Sequence, residues 1–311
     1  MSTPSPRPQT PQALRRSLDA KLRAEARAQG ANITHVRKQY VFTLLFKRLF
    51  HDADGSWVLV GGNALLLRTG GGRFTDDVDL TYTQTWEDSE QLRTELTRLA
   101  SHDVGDGFTF RFTRADNRRQ PDDFGYGTTS AKVAADALLA GKVFETFTLD
   151  IALKRHVQDP VDYVPARPVI EHPTLEDLPR VPVVHIESHL ADKICAMYET
   201  HHGGKPSTRY RDLADIVRIV TNLPIDAARL TQTLEHEAGR RHLELPSQLI
   251  SPHEQWQRAY PDAAKKFSEF PAEYQSLEAS LARAARCLAP VLSREVLAGT
   301  WDPHARIWTD A

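Results

Sequence analysis

The chain reads WVLVGGNALLLR over residues 57–68 and RFTDDVDLTYT over residues 73–83. The first stretch opens with a short apolar run that ends at a double glycine, which is typical of a buried strand followed by a turn. Asn63 can cap a short helix over residues 64–68, and the glycines behind that helix must end it. The second stretch predicts another strand, over residues 74–83.

Alternate side chains of a strand share one face. The second stretch therefore separates into an acidic face and an apolar face: Thr75, Asp77 and Asp79 against Val78 and Leu80. Two carboxylates on one face repel each other, unless water screens them at a strand end or a divalent cation neutralises them. Mg²⁺ prefers a few carboxylate oxygens together with substrate phosphates. The alternative is a D-x-D pattern without a metal, and Asp76 is interpreted as a solvated turn residue.

A third carboxylate would complete a site for two metal ions. Asp150 offers one, on the polar side of a predicted strand whose other side carries Phe147, Leu149, Ile151 and Leu153. Such a site can bridge the α-phosphate of a nucleotide, activate an attacking hydroxyl and stabilise the departing pyrophosphate. Backbone amides at Gly61 and Gly62 could cradle phosphate oxygens. The alternatives are an ordinary strand-to-helix turn at the glycines and an edge-strand charge at Asp150.

The remaining pattern predicts an α/β half followed by a helical half. Periodicity indicates helices over 12–30, 33–51 and 87–100, strands over 108–113 and 143–153, a polar loop over 114–126 and a proline-rich crossover over 157–183. Helices are then predicted over 187–200, 208–222, 226–238, 253–267 and 272–289. We expect a disordered tail over residues 1–12, an α/β domain over 13–183 with a mixed sheet, and a helical C-terminal domain over 184–311.

Composition excludes several classes of protein. The 311 residues are 41% hydrophobic and 26% charged, with a net charge of −2, so any nucleic-acid partner must bind a local patch. Cys195 and Cys287 are far apart and form no CxxC unit, which argues against a zinc site or a disulfide framework. The N-terminus lacks the apolar core of a secretory signal, and no apolar run approaches the ~20 residues of a membrane span. We therefore expect a cytoplasmic protein with no membrane partner.

Three motifs resemble one family. GGNAL at 61–65 with R-x-T-x-DVDL at 73–80 is similar to the first motif of the AbiEii/AbiGii toxin family, which includes the mycobacterial MenT toxins. ESHLADKI at 187–194 resembles the family's helix with an active-site lysine, which implies that role for Lys193. RYRDLADI at 209–216 resembles its arginine–aspartate helix, which implies an active-site aspartate at Asp212 or Asp215.

The resemblance implies a polymerase-β-like nucleotidyltransferase with its active site in a cleft between the two halves. It implies Mg²⁺ (or Mn²⁺) as cofactor, a nucleoside triphosphate as substrate, and a phosphate-binding turn shaped by Gly61, Gly62, Arg73 and Thr75. Members are the toxin half of toxin–antitoxin pairs, so a cognate AbiEi-like antitoxin is implied. The mycobacterial members add pyrimidines to the 3′ end of tRNA and block translation. One departure is Gly62, where the wider superfamily has serine.

The two later motifs leave alternatives open. Lys193 shares a helix face with His189, and it could bind the triphosphate or protonate the pyrophosphate; the alternative is a solvated surface lysine. Asp215 could act as the base for the acceptor hydroxyl, could orient Lys193, or could belong to a surface ion-pair ladder with Arg211 and Arg218. Asp212 could merely favour the helix N-terminus.

The acceptor is a hypothesis. Basic residues in the predicted loop (Arg114, Arg118, Arg119) and in the helical half (Arg240, Arg241) could hold RNA phosphates, or could simply be solvated. A protein or an antibiotic is the alternative acceptor. An alternative of another class is a binding protein that kept the fold and lost the reaction.

Overall fold

The computed structural model describes residues 10–51, 55–71, 74–121, 127–153, 161–201, 204–267 and 270–310, and of residues 118–121, 127–129 and 201 it describes only the backbone. The first half builds one large sheet with helices, and the second half is mainly helical.

Seven strands form the large sheet: β1 (Trp57–Leu59), β2 (Asp77–Tyr82), β3 (Phe108–Pro121), β4 (Gly127–Leu139), β5 (Lys142–Leu153), β6 (Asp162–Pro165) and β7 (Arg180–Val183). Their order is β3-β4-β5-β2-β1-β7-β6. β2 is antiparallel to β1 and parallel to β5, while β1 is parallel to β7. The outer strands pair antiparallel on both sides, so the sheet is mixed, as predicted.

Four helices accompany this sheet: α1 (Pro11–Ala28), α2 (Ile33–Leu49), α3 (Gly61–Thr69) and α4 (Ser89–Ala100). One sheet face is apolar and packs into a continuous core with α1, α2 and α4. Burying this face is the main force that holds the layers together, at about 25 cal/mol for each Å² of apolar surface removed from water. The polar side chains between the apolar ones must therefore point to the opposite face.

In the described part of the second half the α-helices are α5 (Ile186–Tyr198), α6 (Tyr210–Asn222), α7 (Ala227–Arg240), α8 (Trp256–Ala264) and α9 (Leu277–Leu292). Five short strands join them: β8 (Thr200–His201), β9 (Lys205–Pro206), β10 (Ile225–Asp226), β11 (Thr300–Asp302) and β12 (Ile307–Thr309). This half has its own core, in which the indole N–H groups of Trp256 and Trp301 donate to backbone carbonyls. None of the helices in the described ranges is long and apolar enough to cross a membrane.

Helix α3 belongs to both cores. Ala64 packs into the core of the sheet, whereas its neighbour Leu65 packs into the core of the helical half. Adjacent residues of a helix point about 100° apart, so a single turn of α3 can serve both sides. The short helix that follows the double glycine therefore joins the two halves.

Several predicted boundaries were wrong. α3 begins at Gly61 rather than Ala64, and Asn63 does not cap it, because its side-chain amide donates to the Asp77 carbonyl. α9 begins at Leu277 because Ser276 caps it there. The stretch interpreted as a crossover contributes β6 and β7 to the sheet.

The predicted loop over 114–126 was also wrong. Residues up to Pro121 continue β3, and residues from Gly127 onward form β4. The end of β3 lacks the apolar alternation of a half-buried strand, since both Arg114 and Asn117 are exposed. The alanine-rich β4 has little of the β-branched character that marks most strands.

Candidate active site

The predicted carboxylates are neighbours on the polar face of the sheet. Asp77 and Asp79 alternate along β2 with the buried Val78. Because β2 pairs in parallel with β5, Asp79 lies opposite Asp150. Neighbouring strands are ~4.8 Å apart, so the three side chains originate from adjacent positions on one surface. Their role as metal ligands stays a prediction.

The first residue of α3 lies directly against this acidic surface. Gly61 has φ +65°, and a β-carbon built on it would lie 2.1 Å from Asp79 Oδ2. No other residue could occupy this position without moving the carboxylate, and most side chains also disfavour this backbone conformation. Gly61 is therefore required by both the turn and the close approach to Asp79.

Hydrogen bonds fix the backbone that carries the carboxylates. The Asp77 carbonyl accepts from Asn63 Nδ2 at 2.8 Å and from Thr75 Oγ1 at 3.1 Å. The Asp79 carbonyl accepts from the Val60 amide at 3.0 Å. The buried Thr75 was predicted to shape the phosphate-binding turn, and its hydroxyl serves the turn that leads into β2. Arg73, predicted for the same turn, lies outside the described residues.

Lys193 is buried, with 5% of its surface exposed, and it lies between two carboxylates of α6. Its Nζ donates to Asp212 Oδ1 at 3.1 Å and to Asp215 Oδ2 at 2.7 Å. The interpretation of Lys193 as a solvated surface residue was therefore wrong. Both aspartates hold the lysine, which supports the orienting role for each of them. A lysine ammonium carries three donors, so one remains for a ligand.

Burial by itself lowers the pKa of Lys193. The carboxylates of Asp215 and Asp212 outweigh that effect, and the pKa is raised above its usual value. The Arg209 guanidinium binds the second oxygen of Asp212 at 2.5 Å. Lys193 is therefore fully charged at neutral pH, as a cation that binds a phosphate must be.

Helix α3 lies between two groups of residues. One is the acidic surface of Asp77, Asp79 and Asp150; the other is the Lys193 cluster, which consists of Lys193, Asp212 and Asp215. Gly62, Leu65 and Leu66 line a narrow crevice together with Asp215 and Arg218 of α6. Gly62 follows the glycine that contacts Asp79, and Asp215 binds Lys193. The two predicted groups of residues thus meet across one turn of α3, at the boundary between the two halves.

The chemistry of this surface suits a hard divalent cation. Mg²⁺ is commonly bound by one or two carboxylates plus substrate phosphates, and Asp77 and Asp79 provide two. Among the described residues, no group of three His, Cys, Asp or Glu side chains is arranged to hold a metal ion. The Asp150 carboxylate is engaged by Lys132 of β4, with Nζ 3.2 Å from Oδ2. Lys132 was missed by sequence reasoning, because β4 was not recognised as a strand.

The predicted basic cluster of Arg240 and Arg241 is engaged in ion pairs within the protein. Arg241 is buried and binds Asp192, Glu199 and Glu237, and Arg240 binds Glu237 as well. These guanidiniums close an ion-pair network between α5 and α7, so they are not available to RNA phosphates. The side chains of Arg118 and Arg119, from the first cluster, lie outside the described residues.

His189 is a second buried polar residue near Lys193. Neither of its ring nitrogens has a hydrogen-bond partner. Burial, followed by the nearby Lys193 charge, lowers the pKa of His189 to about 3, so the ring is neutral at physiological pH. The sequence placed it on the lysine's face of α5, but only the fold shows that this face is buried.

Comparison with known proteins identifies the family and the fold. Residues 43–284 match the family model of the AbiEii toxin, described as a nucleotidyltransferase of type IV toxin–antitoxin systems. The fold is similar to that of MenT4, a nucleotidyltransferase toxin (Rv2826c) from Mycobacterium tuberculosis H37Rv, with a TM-score of 0.54 and 20% identity over 92% of this chain and 90% of that chain. JHP933 from Helicobacter pylori is more distant, with a TM-score of 0.46 and 15% identity over 83% of this chain and 92% of that one.

A search of curated protein sequences finds no match. The family model covers well over half of the chain and includes every residue of the site built above. The chain therefore belongs to the AbiEii family of nucleotidyltransferase toxins, the toxin component of type IV toxin–antitoxin systems.

Proposed function

We propose that this toxin transfers a nucleoside monophosphate, from a pyrimidine nucleoside triphosphate, to the 3′ end of tRNA and so blocks translation. Family membership already implies a nucleoside triphosphate substrate and an antitoxin partner. The observation that carries the proposal is the meeting of Asp77 and Asp79 with the Lys193 cluster across α3. We further propose that the antitoxin is an AbiEi-like winged-helix protein.

At the α-phosphorus, the reaction forms one bond and breaks one. The 3′-hydroxyl oxygen attacks the α-phosphorus, the bond from that phosphorus to the oxygen bridging the β-phosphate breaks, and pyrophosphate leaves. The hydroxyl proton passes to a base or to water. Mg²⁺ held by Asp77 and Asp79 would neutralise the phosphates and favour the alkoxide. In this proposal Asp150 also binds the metal, once its contact with Lys132 is broken.

The protein's own groups position the triphosphate. The first amides of α3 lie beside Asp79 and have no acceptor within the helix, and such amides favour an anion. The third N–H of Lys193 donates to the phosphates and stabilises the charge that builds on pyrophosphate. Asp212 and Asp215 keep the ammonium in place. The crevice between α3 and α6 has no room even for a water molecule, so we expect base and ribose to lie outside it.

The test supplies each of the four labelled triphosphates with Mg²⁺ and one of three acceptors: total tRNA, total cell protein or an aminoglycoside. We expect label from CTP or UTP in tRNA with the wild type and none with Asp79→Ala. Labelling of protein or aminoglycoside alone would overturn the tRNA proposal and favour the alternative acceptor. Growth arrest that persists in Asp79→Ala would instead indicate a binding protein without catalysis.

Substitution of Gly61 should separate activity from stability. In Gly61→Ala the new methyl group displaces the Asp79 carboxylate, and a misplacement of about 1 Å can cost roughly 100-fold in rate. The left-handed backbone adds about 1 kcal/mol of destabilisation. Gly30→Ala is the matched control, because Gly30 has φ +62° with nothing within 4 Å of its β-carbon position. We expect Gly61→Ala to lose more stability than Gly30→Ala in urea titration, because its methyl group also meets Asp79. Only Gly61→Ala should lose transfer at equal concentrations of folded protein; equal rates in the two would contradict the contact.

A further inference from the structure

We propose that the acceptor RNA lies across the polar face of β5, β4 and β3, with its single-stranded 3′ end at Asp77 and Asp79. We call this surface the hairpin shelf; it consists of Thr146, Thr148, Asp150, Lys132, Ala134, Asp136, Arg111, Arg114 and Asp116. The inference rests on the proposed function, since it takes the acidic surface as the site of transfer.

The register of the sheet makes the shelf continuous with the acidic surface. Asp79 lies opposite Asp150, which lies opposite Lys132, which lies opposite Asp116. The neighbouring row runs from Asp77 through Thr148 and Ala134 to Arg114. Three strand spacings of ~4.8 Å place Arg114 about 14 Å from Asp77.

A β-bulge puts the two described arginines of β3 on the same face. Arg111 and Arg114 are three residues apart, so a regular strand would turn them to opposite faces. The register shifts between Phe112 and Arg114, which leaves Thr113 as the extra residue. Both arginines therefore face the shelf, while Phe112 keeps its place in the core. Bulges commonly redirect side chains next to active sites.

The shelf is open to solvent along this part of the sheet. Helix α3 begins beside Asp79 of β2 on the polar face and packs with the helical half through Leu65, whereas α2 and α4 pack with the opposite, apolar face. Small side chains such as Ala134 and Thr148 form the floor, and both are partly exposed. A nucleic-acid backbone can therefore approach the sheet closely.

The cationic side chains of the shelf can exchange their carboxylate partners for phosphates. Arg114 has 76% of its side chain exposed and pairs with Asp116, and Lys132, with 41% exposed, pairs with Asp150. Such exposed pairs contribute about 0–1 kcal/mol, so a phosphate competes easily with the carboxylate. None of the shelf residues is aromatic, which predicts contacts to the phosphate backbone rather than base stacking. Recognition should therefore tolerate changes in acceptor sequence.

The binding test uses a fluorescent 12-nucleotide single-stranded RNA, without triphosphate, over a range of salt concentrations. We expect Arg114→Ala to raise Kd about three- to tenfold and to reduce the slope of log Kd against log salt by ~0.7. Arg98→Ala is the matched control, because Arg98 is 66% exposed and is paired within its own helix, away from the shelf. It should bind RNA as the wild type does. Melting temperature and binding of a non-hydrolysable nucleotide should be unchanged in both variants.

Several outcomes would overturn the proposal. If Arg114→Glu binds this RNA with the affinity and salt slope of the wild type, the shelf is not the acceptor site, although transfer to tRNA could still hold. If Arg114→Glu loses antitoxin binding and keeps RNA binding, the shelf is a protein interface. Failure of the wild type to bind the RNA at any salt concentration would also end the inference. Absence of transfer to every RNA, in contrast, would refute the proposed function itself.

Discussion

Asp79→Asn is expected to lower nucleotide transfer roughly a thousandfold or more. The amide keeps the size of the carboxylate and removes its charge, so the site binds Mg²⁺ more weakly. Without the cation, the repulsion between the remaining carboxylates and the triphosphate is no longer neutralised. Asp79 also lies opposite Asp150 and beneath Gly61, so another described carboxylate of β2 could not take its place as a metal ligand without moving the strand. The measurement is the initial rate over a titration of Mg²⁺ concentration.

Asp76→Asn is the control for this prediction. Asp76 comes directly before the two site aspartates in the chain, but its side chain is 74% exposed and its carboxylate accepts from Lys38. That hydrogen bond lowers the pKa of Asp76, so the residue is charged at neutral pH, as a control for net charge requires. We expect its rate to stay within about threefold of the wild type, since exposed ion pairs contribute little. Equal losses in the two variants would show that overall charge matters rather than position on the strand face.

The local sequence pattern predicted the shared strand face of Asp77 and Asp79, but it could not predict that Asp150 lies next to them. Alternation along β2 was enough to place Asp77 and Asp79 on one face, because a buried strand leaves its side chains only two directions. The position of Asp150 next to them depends on parallel pairing between strands about 70 residues apart in sequence, as the register shows. No local periodicity contains that information, so Asp150 could only be offered as a candidate.

The hairpin shelf was beyond sequence reasoning for a different reason. Its strands carry polar side chains toward solvent, and the bulge at Thr113 breaks the alternation that would have marked β3. In the helical half, the spacing of Lys193, Asp212 and Asp215 indicated helix faces. It could not show whether these faces are buried, because burial is decided by packing against other helices. The resemblance to the family implied an active-site role for Lys193, and that role stays a prediction.

Helix α3 explains why the two halves form one site. Ala64 and Leu65 anchor it in both cores, while Gly61 contacts Asp79 and Gly62 faces Asp215. Movement of the helical half relative to the sheet would therefore alter the separation between Lys193 and the acidic surface. In the proposed function, this coupling makes the Lys193 cluster part of both the structure and the reaction.

Lys193→Met should destabilise the fold by roughly 3–5 kcal/mol, because it leaves Asp212 and Asp215 buried without their shared cation. The folded-state pKa of Lys193 is raised above its usual 10.5, so the charged lysine stabilises the protein fully below about pH 10.5. That contribution is lost as pH rises through the folded-state pKa. The difference in unfolding free energy between wild type and variant, measured in urea, should thus be constant from pH 7 to about 10 and shrink above it.

Stability and chemistry can be separated at this cluster by removing the acids as well. In the triple variant Lys193→Met, Asp212→Asn, Asp215→Asn no unpaired charge remains between the three side chains, and neutral replacement of a buried ion pair is often tolerated. We expect most of the lost stability to return while nucleotide transfer stays absent, because the donor to the phosphates is missing. Recovery of transfer with stability would mean that Lys193 acts only as a structural cation. Wild-type stability in Lys193→Met alone would contradict its burial between the two carboxylates, and with it the arrangement on which the lysine's role depends.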